Sequence, residues 1–270
     1  MFHLPCLAAN GLLPCVGEIE LSAALMITFV VVGFCAGFVD SIAGGGGLIS
    51  MPALLAAGVP PHLALGTNKL QSALGTMVAT ANYARRGLIT REGLAWGVGV
   101  TAPAALAGGW AVTRMPGDLL VRVIPWLLGA IFVYVIVSPR VGDERRRARL
   151  APAVFHAVFG LVLGFYDGFF GPGTGTFWTM GYVMLLGFTL PHATGHTKAM
   201  NLTSNIASLA WFAWHGDVLW AHGVLMGGAN IAGALTGSTL AIRRGAGFIR
   251  VVFLVVVGAT IARLVWRSFG

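Results

Sequence analysis

Hydrophobic positions in this chain come in runs too long and too uniform for the surface of a water-soluble protein. In the first half they cover roughly 21–43, 48–58, 63–84, 93–112 and 119–137, and in the second roughly 152–170, 174–188, 193–214, 219–241 and 249–267. A helix crossing the hydrocarbon core of a bilayer needs about 20 apolar residues. Most of these runs meet or approach that length and predict spanning helices. The second run of each half does not, and 48–58 is far too short; it predicts a half-helix, a re-entrant piece or a broken continuation of the run before it. Between Leu21 and Trp266 no stretch is long enough for a separate soluble domain.

The two sets of runs are copies of one another. "GFCAGFVDSIAGGGG" from Gly33 to Gly47 resembles "GLVLGFYDGFFGPGTG" from Gly160 to Gly175, so that Gly37, Phe38, Asp40, Gly44 and Gly46 fall on Gly164, Phe165, Asp167, Gly171 and Gly173 at one constant offset. Further on, "ALGTNK" ending at Lys69 matches "ATGHTK" ending at Lys198, and Gly87 matches Gly216, at an offset two residues longer. The chain is therefore a duplication with a two-residue insertion in its second half. It divides into an N-terminal extension (1–20), a first repeat (21–137), a basic linker (138–151) and a second repeat (152–267).

Charge orients these units. The linker carries Arg140, Arg145, Arg146, Arg147 and Arg149, which places it on the cytoplasmic side. Arg85, Arg86 and Arg91 follow the third run of the first half, whereas the matching "HGDVLW" of the second half has no Lys or Arg; conversely, Arg114 stands alone where the second half has Arg243, Arg244 and Arg250. Basic loops that swap positions between copies predict opposite orientations, the mark of inverted-topology repeats in transporters whose substrate site lies near the midplane. Both termini would then face outward, an assignment that Arg263 and Arg267 weaken for the C-terminus. The fold class is thus an all-α integral membrane protein of two inverted-topology repeats, with eight to ten hydrophobic segments including short broken or re-entrant half-helices.

Composition agrees. Hydrophobic residues make up 57% of the chain and charged residues 10%, with a mean hydropathy of +0.83. The net charge of +8 and pI near 10.3 come from arginines between apolar runs, so no nucleic-acid partner is expected. Cys6, Cys15 and Cys35 have no metal-ligand spacing, and a Cys6–Cys15 bridge is conceivable but unsupported. No basic n-region precedes the first apolar run and no cleavage site follows it, which reads as a retained span.

Candidate chemistry lies where polar residues interrupt these runs. Asp40, Lys69, Asp167 and Lys198 would each cost roughly 2.5–3.5 kcal/mol at the centre of a lipid-facing helix, so they must be paired or line a cavity. Lys69, Ser72 and Thr76 share one helical face, as do Lys198, Asn201 and Asn205, with Asn68 and Thr197 beside them. The glycine runs Gly44, Gly45, Gly46, Gly47 and Gly171, Gly173, Gly175, with Thr174, disfavour helix by about 1 kcal/mol per glycine. Glycine also lets consecutive amides turn toward a ligand at the start of a half-helix, which forms an anion nest. A small-anion site near the midplane follows, with Asp40 and Asp167 compensating the lysines or carrying a proton.

The stretches "GFVDSIAGGGGLISMPALLAAGVPPHLALGTNKL" and "GFYDGFFGPGTGTFWTMGYVMLLGFTLPHATGHTKAMNLTSN" resemble the sulfite exporter TauE/SafE family of bacterial membrane transporters, and with Gly87 and "HGDVLW" the resemblance covers most of the chain. It implies export of sulfite or an organosulfonate across the bacterial cytoplasmic (inner) membrane, with lipid as the surroundings, no cofactor, and a homo-oligomer as an open option.

Blander readings compete for the same residues. Asp40–Lys69 and Asp167–Lys198 can be structural ion pairs inside each repeat, and the glycines can serve tight helix packing. "HATGH" (His192 to His196) lacks the Glu of the metalloprotease pattern, so no metal site is assigned. His196, standing where the first half has Thr67, bears on pH response. His156, His215 and His222 read as loop or interface residues, and the sequon at Asn201 lies in a polar-striped span. Trp96, Trp110, Trp126, Trp220 and Trp266 read as interfacial anchors. No nucleophile-and-base set and no P-loop is present, which excludes a recognisable hydrolase or ATP-driven pump. The expected mechanism is alternating access around the anion site. A passive small-anion channel or a transporter of a different anionic metabolite is the alternative, and a non-transport assembly factor a more distant one.

Overall fold

The computed structural model describes residues 22–91, 93–120, 122, 123, 126 and 147–269. The N-terminal extension with Cys6 and Cys15, most of the fifth apolar run and most of the basic linker lie outside the described residues.

Eight helices are described: α1 (Ala23–Ala43), α2 (Gly47–Ala56), α3 (Pro61–Arg85), α4 (Leu94–Thr113), α5 (Pro152–Phe169), α6 (Thr174–Leu185), α7 (Leu190–His215) and α8 (Trp220–Phe269). Local chemistry sets their ends. Ser22 caps α1, its hydroxyl accepting the Leu25 amide at 3.3 Å, and proline opens α3, α5 and α7, where a missing N–H costs nothing. The expected runs 219–241 and 249–267 belong to one element, α8, broken by the non-helical backbone of Gly245. At about 1.5 Å per residue, the 10-residue α2 and 12-residue α6 reach only some 15–18 Å, about half a hydrocarbon core. Among the described helices, Ala23–Ala43, Pro152–Phe169 and Trp220–Gly245 are long and apolar enough to cross a membrane; α3 and α7 are long but carry the polar stripes.

The halves pack by exchanging helices. Along α1 and α8, Gly33 meets Met226, Gly37 meets Asn230, and Gly233 meets Phe34. The equivalent pair, α4 and α5, closes in the same way, with Gly160 and Gly164 against Thr101 and Gly168 against Ala105. Each of these glycines lacks the Cβ that would collide with the facing helix, as small residues do wherever helices approach closely in a membrane.

At the centre α3 and α7 run antiparallel. The backbone after α3 meets the start of α7, where the Thr90 amide donates to His196 Nε2 at 3.0 Å. The backbone after α7 meets the start of α3, where the Leu219 amide donates to Thr67 Oγ1 at 3.0 Å. Arg149 and Leu150 bond through their amides to Leu185 O at the end of α6, and Asn82, near the end of α3, bonds Ser238 and Thr239 on α8. These contacts gather Arg85, Arg86, Arg91, Arg149, Arg243 and Arg244 at one end of the bundle. The other end holds the loop around His215 and Asp217.

Two apolar cores lie on either side of the centre, one around Phe29, Met51, Leu54 and Phe212, the other around Phe155, Trp178, Tyr182 and Met200. The expectation that His156 and His222 are loop or interface residues is corrected here. Both are buried, His156 with Nε2 3.1 Å from the Tyr182 hydroxyl, because the aromatic core needs a polar partner for that hydroxyl. His215 is exposed and pairs with Asp217 at 2.9 Å. Trp96, Trp110, Trp126 and Trp220 are exposed, as anchors at a lipid boundary would be. His192 and His196 bond in different directions, to Thr189 and Thr90.

Candidate functional site

The two glycine turns meet at the middle of the molecule. Gly44 ends α1 in the left-handed conformation (φ 80°) and returns its amide to Asp40 O at 2.9 Å. A Cβ at Gly44 would lie 2.5 Å from the carbonyl carbon of Gly175, and one at Gly175 would lie 2.6 Å from Gly44 Cα. The turns therefore cross in direct backbone contact, a crossing closed further by Thr176 Oγ1 donating to Ala43 O at 3.2 Å. Only glycine at both positions permits this. Gly44→Ala combines a left-handed backbone, costing about 1–2 kcal/mol, with an overlap costing about 1–3 kcal/mol. The expected result is a marked drop in the thermal midpoint of the detergent-purified protein; an unchanged midpoint would show that the crossing is slack.

Around this crossing lie two ion pairs, one buried and one partly buried, and they correct the expected pairing. Lys69 Nζ sits 2.8 Å from Asp167 Oδ1, and Lys198 Nζ sits 2.9 Å from Asp40 Oδ2. Each lysine bonds the aspartate of the other half, and also that aspartate's main-chain carbonyl. The helix ends that carry the four charges all meet at the glycine crossing, with α1 touching both α3 and α7 and Ser204 of α7 holding Asp167, so proximity in sequence does not decide the partner.

Between the pairs is a polar cavity of about 20 Å³, walled by Asp40, Lys69, Ser72, Asp167, Asn201 and Asn205 together with Asn68, Gly44, Gly47, Gly171, Gly173 and Gly175. That is room for about one water molecule and too little for an oxyanion. The conformation is closed around the site.

Most residues expected from the sequence are thus brought together, but not all. Lys198, fully buried and paired with Asp40, does not itself wall the cavity. Thr76 lies outside the cavity wall, with its hydroxyl donating to Ser72 O at 2.7 Å, because a threonine in a helix bonds back to its own preceding turn. Thr197 is buried against Thr179 at 3.0 Å, as Asn68 is against Ser50 at 2.6 Å. Thr174 donates to Asp167 Oδ1 at 3.3 Å. Gly45 does not wall the cavity, and the Gly46 amide points to Asp40 Oδ1 at 3.4 Å. The amides of Gly44, Gly46 and Gly171 are thus engaged within the protein, so in this conformation these three do not form an open nest. Gly171 matters instead for space, since a Cβ there would lie 2.7 Å from Lys69 Nζ.

Two participants were missed in the sequence. Ser204 donates to Asp167 Oδ2; it continues the stripe of Lys198 and Asn201, which could have signalled it. Gln71 links Asn68 (2.9 Å) to Asn230 of α8 (2.6 Å), a contact between distant segments that periodicity does not reveal. One buried atom at the cavity lacks a partner: Asn201 Oδ1.

Comparison with known proteins adds to this geometry. The family model described as sulfite exporter TauE/SafE matches residues 29–264. A protein of Sinorhizobium sp, "Probable membrane transporter protein ORF9", is 44% identical over 246 residues, 91% of this chain and 94% of its own. "Probable membrane transporter protein YfcA" of Escherichia coli is 39% identical over 249 residues, covering 92% and 93%, and a "Probable membrane transporter protein" of Haemophilus influenzae is 38% identical over 248 residues, covering 92% and 97%. No solved structure matches the chain significantly.

Proposed function

Since the chain belongs to the sulfite exporter TauE/SafE family of membrane transporters, we propose that it exports a small sulfur-containing anion, sulfite or an organosulfonate, by alternating access. The observation that carries this reading is the pair of crossed lysine–aspartate bridges around a closed polar cavity at the meeting of two glycine turns. Lys69 and Lys198 attract the anion, and Ser72, Asn201 and Asn205 orient it. Asp40 and Asp167 neutralise the lysines while the site is empty. Because each bridge joins the two halves, an anion that competes for a lysine also loosens the halves from one another, and a change of access follows from binding.

The two repeats are inverted in topology, with α1–α2 and α5–α6 as re-entrant hairpins entering from opposite faces. The antiparallel α3 and α7, the exchanged helices and the shortness of α2 and α6 support this. The end of the bundle that gathers the arginines faces the cytoplasm of a bacterial inner membrane, and the chain ahead of α1 and beyond α8 lies outside. An inside-negative potential then assists expulsion by about 2.3 kcal/mol per charge per 100 mV, without a strong coupling ion.

The test is flux in liposomes containing the purified protein, with sulfite, sulfate, thiosulfate and a small sulfonate offered under an imposed potential, with and without a pH gradient. Saturable flux of one sulfur anion, accelerated by the potential, is the expected result. Absence of flux for every sulfur anion under every gradient would remove the proposed cargo and leave the fold standing.

A further inference from the structure

We propose that the two ion pairs divide the work: the transported anion displaces Asp40 from Lys198, while Lys69–Asp167 stays closed as a brace between the halves. This rests on the anion-site reading above and narrows it: Lys69 contributes its charge while still paired, and Lys198 alone exchanges its aspartate for the anion, whereas the duplicated sequence would by itself give both pairs the same part.

The pairs differ in how firmly each aspartate is held. Both oxygens of Asp167 are occupied, Oδ1 by Lys69 and Thr174, and Oδ2 by Ser204. Asp40 has Lys198 on Oδ2 and a long 3.4 Å bond from the Gly46 amide on Oδ1. The side chains replacing Thr174 and Ser204 in the first half are those of Gly47 and Gly75, neither of which has a hydroxyl. Gly75 is confined to glycine, since a Cβ there would overlap Asn230 Oδ1, held in place by Gln71. The space of the bracing hydroxyl is thus taken by a residue committed elsewhere.

The lysines differ in the same sense. Lys69 has a third partner, Asn205 Oδ1 at 3.4 Å, whereas the position matching Asn205 is Thr76, turned to its own helix. Exposure follows: the Asp167 side chain is 5% accessible and that of Asp40 is 20%, although both lysines are essentially buried. The unpartnered Asn201 Oδ1 lies one helical turn beyond Lys198. Rotation of that amide presents its N–H₂ to an oxyanion, so the looser pair is also the one with an uncommitted hydrogen-bonding group beside it.

Asp40→Cys and Asp167→Cys are compared in the full chain with Cys6, Cys15 and Cys35 replaced by Ser. The readout is the rate of labelling by the anionic reagent sulfonatoethyl methanethiosulfonate, with and without methanesulfonate, a small sulfonate that reacts with neither thiols nor the reagent. The thiol at position 40 should react at least about tenfold faster, because that position is the more accessible of the two, and methanesulfonate should slow it. Equal rates, or faster reaction at 167, would overturn the proposal. Should Asp167→Cys fail to fold, hydrogen exchange in the unmodified protein decides: amides of 40–46 should exchange at least about tenfold faster than those of 167–174, and equal exchange sinks the idea. A fast thiol at 40 that methanesulfonate does not protect would keep the labile pair and reject a small sulfonate as cargo, so failure of the proposal and failure of the substrate reading are told apart.

Discussion

Lys198→Met is expected to abolish transport of the sulfur anion while the protein still purifies as a folded membrane protein. Methionine matches the length of the lysine stem and fills its space, so packing between α7 and the end of α1 is largely kept. What is lost is the cation against which the anion exchanges. Asp40, left without its counter-charge, is partly accessible and retains the Gly46 amide, which limits the damage to the fold. A charge-assisted hydrogen bond is worth about 1.5–3 kcal/mol, so the thermal midpoint should fall modestly while flux drops to the background of empty liposomes. A variant that transports at the normal rate would remove Lys198 from the site.

For Lys69→Met the larger effect should be on stability. Its partner Asp167 is almost fully buried, and removing one member of such a pair leaves an uncompensated charge at a cost of about 3–5 kcal/mol. The double variant Lys69→Met with Asp167→Leu should recover much of that loss, since an apolar pair of similar volume removes the stranded charge. Thermal unfolding of the two single variants and the double variant provides the cycle. Additive losses would show that Lys69 and Asp167 are not coupled in the folded protein.

Much of the fold can be read in the sequence because membrane physics leaves few choices. Runs of about 20 apolar residues become helices since no other open structure satisfies the backbone in lipid. The short α2 and α6, the duplication and the segregation of arginines are properties of spacing and composition, visible without coordinates. So were most residues of the site, because a charge in an apolar run signals a buried pair or a cavity wherever it points.

Pairing is another matter. Asp40 lies nearer in sequence to Lys69 than to Lys198, and each repeat contains a complete acid and base, so a pair within each repeat satisfies every local rule. The crossed pattern accompanies the packing of α8 on α1 and α4 on α5, where glycine faces fit across the halves and bring both acids and both lysines to one crossing. The engagement of the Gly46 amide by Asp40, and of Thr76 by its own helix, likewise depends on geometry that periodicity does not carry.

By itself, then, the sequence determined that this is a duplicated helical membrane protein, which residues carry buried charge, and where the chain must turn. Tertiary structure decided which lysine meets which aspartate, that the two glycine turns touch, and that one ion pair is better held than its copy. The division has a physical cause. Helix formation and membrane insertion depend on neighbours along the chain, whereas ion-pair partners and cavity walls depend on which helices pack together. A duplicated sequence offers two equivalent answers to that question until the fold selects one.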